Sequence, residues 1–201
     1  MVSEACADRY LPETVQQPVK ILVVGALGVG KTTLVGSVSE IRPLRTEETM
    51  TEAGAGVDRL AGLPDKNTTT VAMDFGRVTL NDRVVLYLFG APGQRRFWNM
   101  WEGLAEGAVG VLVLVDTRRL EDSFEVLDQL ELRADTPFAV AVNHFPDTHP
   151  HGEEELRRAL DLLPTTPVVD CDARDRTSSL DALIALVEHA TEDLAAREAA
   201  S

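Results

Sequence analysis

Residues 25–33 read Gly25-Ala26-Leu27-Gly28-Val29-Gly30-Lys31-Thr32-Thr33. The stretch combines glycines, which free the backbone, with a lysine and two hydroxyls, and it fits G-x-x-x-x-G-K-[ST]. Glycines let successive N–H groups converge on one anion. A helix that begins at the lysine adds partial positive charge at the same point. Lys31 is a mobile ammonium for the outer phosphates. The Thr32 hydroxyl suits a hard divalent cation such as Mg2+, and Thr33 falls on the α-phosphate side. The chemistry is a cradle for a nucleoside di- or triphosphate with Mg2+. A plain glycine-rich turn is the competing reading, and the complete spacing between a strand and a helix outweighs it.

The cradle needs a strand before it and a helix after it. Val19–Val24 is a short, branched apolar run, and Lys31–Glu40 reads as a helix. Residues 42–69 lack a regular pattern and carry Pro43, Gly54, Gly56, Gly62 and Pro64. Val71–Val78 and Arg83–Phe89 read as strands around a tight turn at Asn81-Asp82. Trp98–Glu106 reads as helix, Val109–Val115 as a strand covered on both faces, and Leu120–Arg133 as an amphipathic helix. Phe138–Val142, helix Glu153–Leu163, Val168–Cys171 and a last helix capped by Ser178 or Ser179 complete the chain through Arg197. This order predicts one α/β domain over 18–201 behind a flexible N-terminal arm, 1–17. Its sheet has six strands, mostly parallel, with one antiparallel edge hairpin and helices on both faces.

Composition removes several functions. The chain has 201 residues, 19 Lys and Arg against 33 Asp and Glu, and a net charge of −14. Such a surface repels nucleic acid and anionic lipid. No apolar run is long enough to span a membrane, so direct insertion is not expected. Val2 and the ending AREAAS offer no acylation or prenylation signal. Cys6 and Cys171 are far apart in sequence and read as free thiols. A cytoplasmic protein is expected.

Beyond the phosphate loop, Leu86–Trp98 reads LYLFGAPGQRRFW, with Pro92-Gly93-Gln94 just after the hairpin. With these motifs the chain resembles the bacterial Ras-like small GTPases of the gliding-motility polarity and actinomycete conservon types. The resemblance implies a P-loop NTPase with a Ras-like G domain that binds GTP or GDP with Mg2+. It implies that Gly93 senses the γ-phosphate and that Gln94 orients the attacking water, with Lys31 assisting. The place of the family's aspartate is Gly90, which leaves no carboxylate on that strand. A threonine for Mg2+ and the γ-phosphate is sought in Thr68-Thr69-Thr70. Thr70 is favoured by its distance from Asp74, and Thr68 stays open. Asn143-His144-Phe145-Pro146-Asp147 stands where Asn-Lys-x-Asp reads guanine, with His144 covering the base and Asp147 one residue late. Ala173 and Arg174 lie where a backbone N–H meets the guanine oxygen. Implied partners are a roadblock-type regulator and a sensor-kinase-like membrane protein that recruits the chain to the membrane.

The function so implied is a switch whose segments 58–70 and 90–103 order around the triphosphate, with slow unaided hydrolysis. No arginine stands beside Thr70, so Arg95, Arg96 or a partner is left to supply one. Two other classes stay open. Val111–Val115 runs into Asp116, as in a Walker B strand, which would make an ATPase or phosphotransferase. A non-hydrolysing nucleotide-binding scaffold is the third class. His144, His149 and His151 read as a solvated turn rather than a metal site; Trp98 and Trp101 read as core, with a partner surface in a rearranging region as the alternative.

Overall fold

The computed structural model describes residues 17–50, 69–131, 136–146, 148 and 151–199. Strand β1 (Gln17–Gly25) is central because its residues are apolar on both faces. Ile21 and Val23 enter one core, while Leu22 and Val24 enter the other. It lies parallel to β4 (Val84–Gly90) and to β5 (Ala108–Val115). β5 repeats the alternation: Leu112 and Leu114 face one side, Val111, Val113 and Val115 the other. β6 (Phe138–Asn143) and β7 (Val168–Cys171) extend the parallel run. On the other side β3 (Thr69–Thr79) pairs antiparallel with β4.

The sheet has seven strands in the order β2-β3-β4-β1-β5-β6-β7, one more than the six read from the sequence. The addition is β2 (Leu44–Met50), antiparallel to β3 at the edge. Its Leu-Arg-Thr-Glu-Glu-Thr-Met carries no period-two pattern. Backbone pairing to β3 makes this strand, and an edge strand can be polar throughout.

Helix α1 (Lys31–Val38) and α5 (Arg176–Ala199) cover one face, packing Leu34, Val35, Ala182, Leu183 and Leu186 on the sheet. On the other face lie α2 (Asn99–Ala105), α3 (Glu121–Glu131) and α4 (Glu153–Ala159). A short 3₁₀ turn, Arg95–Phe97, precedes α2 and takes the residues before Asn99 out of the helix read from Trp98. α4 stops four residues short of Leu163, where Asp161 turns to φ 52°. α5 starts at Arg176, earlier than the Ser178 or Ser179 cap read from sequence. The Asp175 carboxylate accepts from the Ser178 N–H at 2.7 Å, while Ser179 is buried. Arg176 in turn donates to the Ser37 and Val38 carbonyls that end α1.

Trp101 is fully buried, and its indole N–H donates to the Pro92 carbonyl at 3.1 Å. It ties the α2 face to the segment after β4. Trp101→Ala is expected to lower stability by about 3–5 kcal/mol, and Trp101→Phe by less, with the lost hydrogen bond as its main cost. Urea unfolding at unchanged m-value checks both; a Trp101→Phe protein as stable as wild type would remove the hydrogen bond from the account.

Candidate functional site

The chemistry-bearing residues gather where the parallel strands end. This is the edge at which open α/β sheets place their ligands. β1 runs into the phosphate loop, which holds Gly25, Gly28 and Gly30 at φ 142°, 79° and 110°. Gly30 begins α1 with a left-handed backbone, and a Cβ there would sit 2.6 Å from Asn143 Nδ2. Only glycine satisfies both demands. Thr33 follows Thr32 in the first turn of α1. Lys31 is buried, and its Nζ donates to the Gly25 and Ala26 carbonyls, both at 2.8 Å. Burial lowers its pKa to about 8, and the nearby Asp74 charge opposes that fall.

The Thr32 hydroxyl donates to Asp74 Oδ2 at 2.5 Å. Asp74 is buried on β3, in register with Gly90 on β4. A Cβ on Gly90 would lie 3.0 Å from the Asp74 Cβ and 3.3 Å from its Oδ2. The Asp74 carboxylate therefore reaches Thr32 from the neighbouring strand, through the space that Gly90 leaves. The sequence reading gave Asp74 no role beyond marking distance to Thr70. A hydroxyl beside a carboxylate is a hard-oxygen pair of the kind Mg2+ takes, so these residues fit the ion.

Pro92-Gly93-Gln94 crosses in front of the phosphate loop. A Cβ on Gly93 would meet Lys31 Nζ at 2.7 Å and Leu27 N at 2.8 Å. Gln94 opens the 3₁₀ turn, and its carbonyl accepts from Phe97 N–H at 3.0 Å. Arg95 is ion-paired with Glu125 on α3. Thr70 sits in β3, its backbone opposite Thr49 of β2. Thr68, Asp147 and His149 lie outside the described residues, as does most of segment 58–70.

At the base-reading end, Asn143 is buried. Its Nδ2 donates to the Val29 carbonyl at 2.8 Å, and its Oδ1 accepts from Ala173 N–H at 3.0 Å. Arg174 N–H donates to Asp172 Oδ1 at 3.0 Å, and the Arg174 guanidinium also grips Asp172. Both amides that the resemblance assigned to a guanine oxygen are thus engaged within the chain. His144 is half-exposed, with Nε2 3.1 Å from Asp170 Oδ1. Among the described residues no group of three or more His, Cys, Asp or Glu is placed to hold a metal ion.

Asp116, the Walker B alternative, is buried and already engaged. Arg118 gives it a backbone N–H at 3.0 Å and two guanidinium bonds at 2.9 and 2.8 Å. The Arg118 guanidinium also stacks 3.6 Å from the centre of the Phe145 ring. Thr32 takes its carboxylate from Asp74 instead.

Comparison with known proteins agrees with this architecture. The family model described as conserved hypothetical ATP binding protein matches residues 23–193. The chain is 29% identical over 127 residues to the uncharacterized protein MJ1339 of Methanocaldococcus jannaschii, covering 62% of this chain and 69% of that one. Among solved structures, the G domain of the T. maritima FeoB iron transporter superposes with a TM-score of 0.59 at 20% identity, over 87% of this chain and 99% of that one. The Arl6 BBS3 small GTPase from Trypanosoma brucei, with a bound nucleotide analogue, gives 0.60 at 16% identity, over 88% and 99%. The fold is that of the P-loop GTPase G domains.

Hydrogen bonds from Arg118 hold the Asp116 carboxyl below its ordinary value of 3.8. Asp116→Asn is expected to cost about 1–3 kcal/mol at neutral pH, because Arg118 loses its charged partner. The folded pKa is depressed, so the wild-type advantage is complete above 3.8 and disappears as pH falls through the lower folded value. Thermal unfolding of both proteins against pH checks this; a gap that persists in strong acid would refute it.

Proposed function

Since this chain belongs to the family described as conserved hypothetical ATP binding protein, we propose that it is a nucleotide-dependent switch that binds guanine nucleotide with Mg2+ and hydrolyses GTP. One observation carries the reading: the glycine-punctuated loop leads straight into Lys31 and into a Thr32 hydroxyl paired with the Asp74 carboxylate.

Each part has work in that role. The amides of residues 26–33 bind the phosphates, and Lys31 leaves the loop carbonyls to reach them. Thr32 and Asp74 would hold Mg2+, and Thr70 would join them when the triphosphate is bound. The ion neutralises charge on the outer phosphates. Gly93 contacts the γ-phosphate and Gln94 orients the attacking water. Ordering of segments 58–70 and 90–103 then reports the bound state to partners. The resemblance to the gliding-motility and conservon branches supports a cytoplasmic chain, a roadblock-type regulator, and membrane recruitment through a sensor-kinase-like protein. No described helix is long and apolar enough to cross a membrane.

The family description favours a second reading, ATP as the nucleotide. The engaged Ala173 amide speaks for it too, because that donor is not turned to a base oxygen. Asp147 decides between them, since a carboxylate accepts two hydrogen bonds from guanine and none from adenine in the same pose.

Calorimetry with GTP, GDP and ATP tests the proposal. Lys31→Ala is expected to abolish binding of all three with the fold intact; unchanged affinity would end the reading. Asp147→Ala is expected to weaken GDP by about 2–4 kcal/mol and leave ATP unaffected. Tighter ATP than GTP in the wild type would select the second reading. Asp74→Asn is expected to weaken the Mg2+ dependence of GTP binding. If Asp116→Ala did so instead, the Walker B assignment would return.

A further inference from the structure

The nucleotide-hydrolysing reading needs an arginine for the charge that develops in the transition state; of the two candidates after Gln94, Arg95 is paired with Glu125 on α3, and the Arg96 side chain lies outside what the structure describes. We propose that Arg119 is that arginine. It is supplied by the chain itself from the turn after β5. The inference rests on the hydrolysing reading above.

Two contacts fix its place. The Arg119 guanidinium donates through Nη2 to the Leu27 carbonyl at 3.3 Å, and the same nitrogen lies 3.7 Å from the position of a Cβ on Gly28. Leu27 marks the outer-phosphate end of the loop. A Cβ on Gly93 would lie 2.8 Å from Leu27 N and 2.7 Å from Lys31 Nζ, so these three residues share one end. Arg119 therefore stands where the loop, the lysine and the Gly93-Gln94 segment meet.

Its other bonds steer it without holding it fast. Arg119 reaches Asp116 at 3.5 Å and Asp122 at 3.6 Å. Asp116 is committed to Arg118 by shorter bonds. The Arg119 side chain is 45% exposed. A guanidinium carries five N–H donors, and long single contacts give way to a short charge-assisted bond with phosphate. Arg118 and Arg174 lack this freedom, because each grips its aspartate through two bonds at 2.8–2.9 Å.

In the reaction, the water oxygen forms a bond to the terminal phosphorus. The bond from that phosphorus to the β–γ bridging oxygen breaks, and its electron pair stays on GDP. The water proton leaves with the released phosphate. Arg119 remains a cation throughout and contacts the oxygens on which charge accumulates.

The test compares wild type, Arg119→Ala, Arg119→Lys and Gln94→Leu in single-turnover hydrolysis of GTP and, in parallel, ATP. GDP affinity and capture of GDP with aluminium fluoride, a mimic of the transferring phosphoryl group, are measured beside it. Arg119→Ala is expected to bind GDP within about threefold of wild type, to hydrolyse roughly 10³-fold more slowly or worse, and to lose the aluminium fluoride complex. Arg119→Lys should recover part of the rate. Wild-type rate in Arg119→Ala with Gln94→Leu inactive would overturn Arg119 and leave the hydrolysing reading standing. Loss of GDP affinity in step with rate would make Arg119 a shaper of the loop and also overturn it. No turnover of either nucleotide by wild type would overturn both.

Discussion

The Asn143 side chain is the joint on which the candidate site depends. A buried amide must satisfy both its ends, and each end here meets a different loop. Nδ2 holds the Val29 carbonyl of the phosphate loop, and Oδ1 holds the Ala173 amide after β7. His144 N–H donates to the Cys171 carbonyl at 2.7 Å and closes the same seam from the backbone. Burial raises the Cys171 thiol to about 11, so it stays neutral filler beneath the joint. The first turn of α5 completes the unit. Ser178 accepts from Asp172 N–H, and Ser179 meets Ser37 of α1 at 3.1 Å. Phosphate end, base end and two helices are thus one body, in which moving any one strains the others.

The Asp74–Gly90 pair shows how a sheet can carry a functional group across a register. Antiparallel partners stand directly opposite with room for two side chains as a rule, but here a Cβ on Gly90 would come within 3.0 Å of the Asp74 Cβ. Gly90 vacates that space and Asp74 fills it. The carboxylate reaches Thr32 from one strand further along the sheet than the resemblance leads one to expect.

Much of this was legible in the sequence, for a physical reason. The strands buried on both faces are nearly continuous apolar runs, so VGVLVLV and FAVAVN announce themselves. The phosphate loop requires a fixed chemistry at fixed spacing. β2 was not legible, because its stability comes from backbone pairing with β3 and its sequence is polar. The Thr32–Asp74 contact was not legible either, because it depends on which residue lies across the sheet, and register is a tertiary fact. The missing aspartate at Gly90 was the available signal. A glycine at a position where a carboxylate is expected asks which neighbour uses the room. The surroundings of Asp116 were not legible either: a carboxylate at the end of a buried strand looks alike in sequence whether it faces a metal ion or, as here, accepts from the Arg118 backbone and guanidinium.

Nucleotide choice and loop rigidity pull against one another in this chain. An N–H that reads a guanine oxygen has to be turned toward the base, yet the Ala173 N–H is donated to Asn143. Releasing it leaves Asn143 Oδ1 buried without a partner, at a cost of about 1–3 kcal/mol. Rotating Asn143 to repair that loss takes Nδ2 from the Val29 carbonyl and loosens the phosphate loop. The next amide offers no substitute, since Arg174 N–H is held by an Asp172 carboxyl that Arg174 keeps ionised down to about 2. The backbone therefore gives guanine little advantage over adenine. A strong preference for either base would then fall to side chains on the loop after β6, beside which the Arg118 guanidinium stacks on Phe145. A phosphate cradle is indifferent to the base that follows the phosphates, so affinity and selectivity have to be built at different ends of such a site.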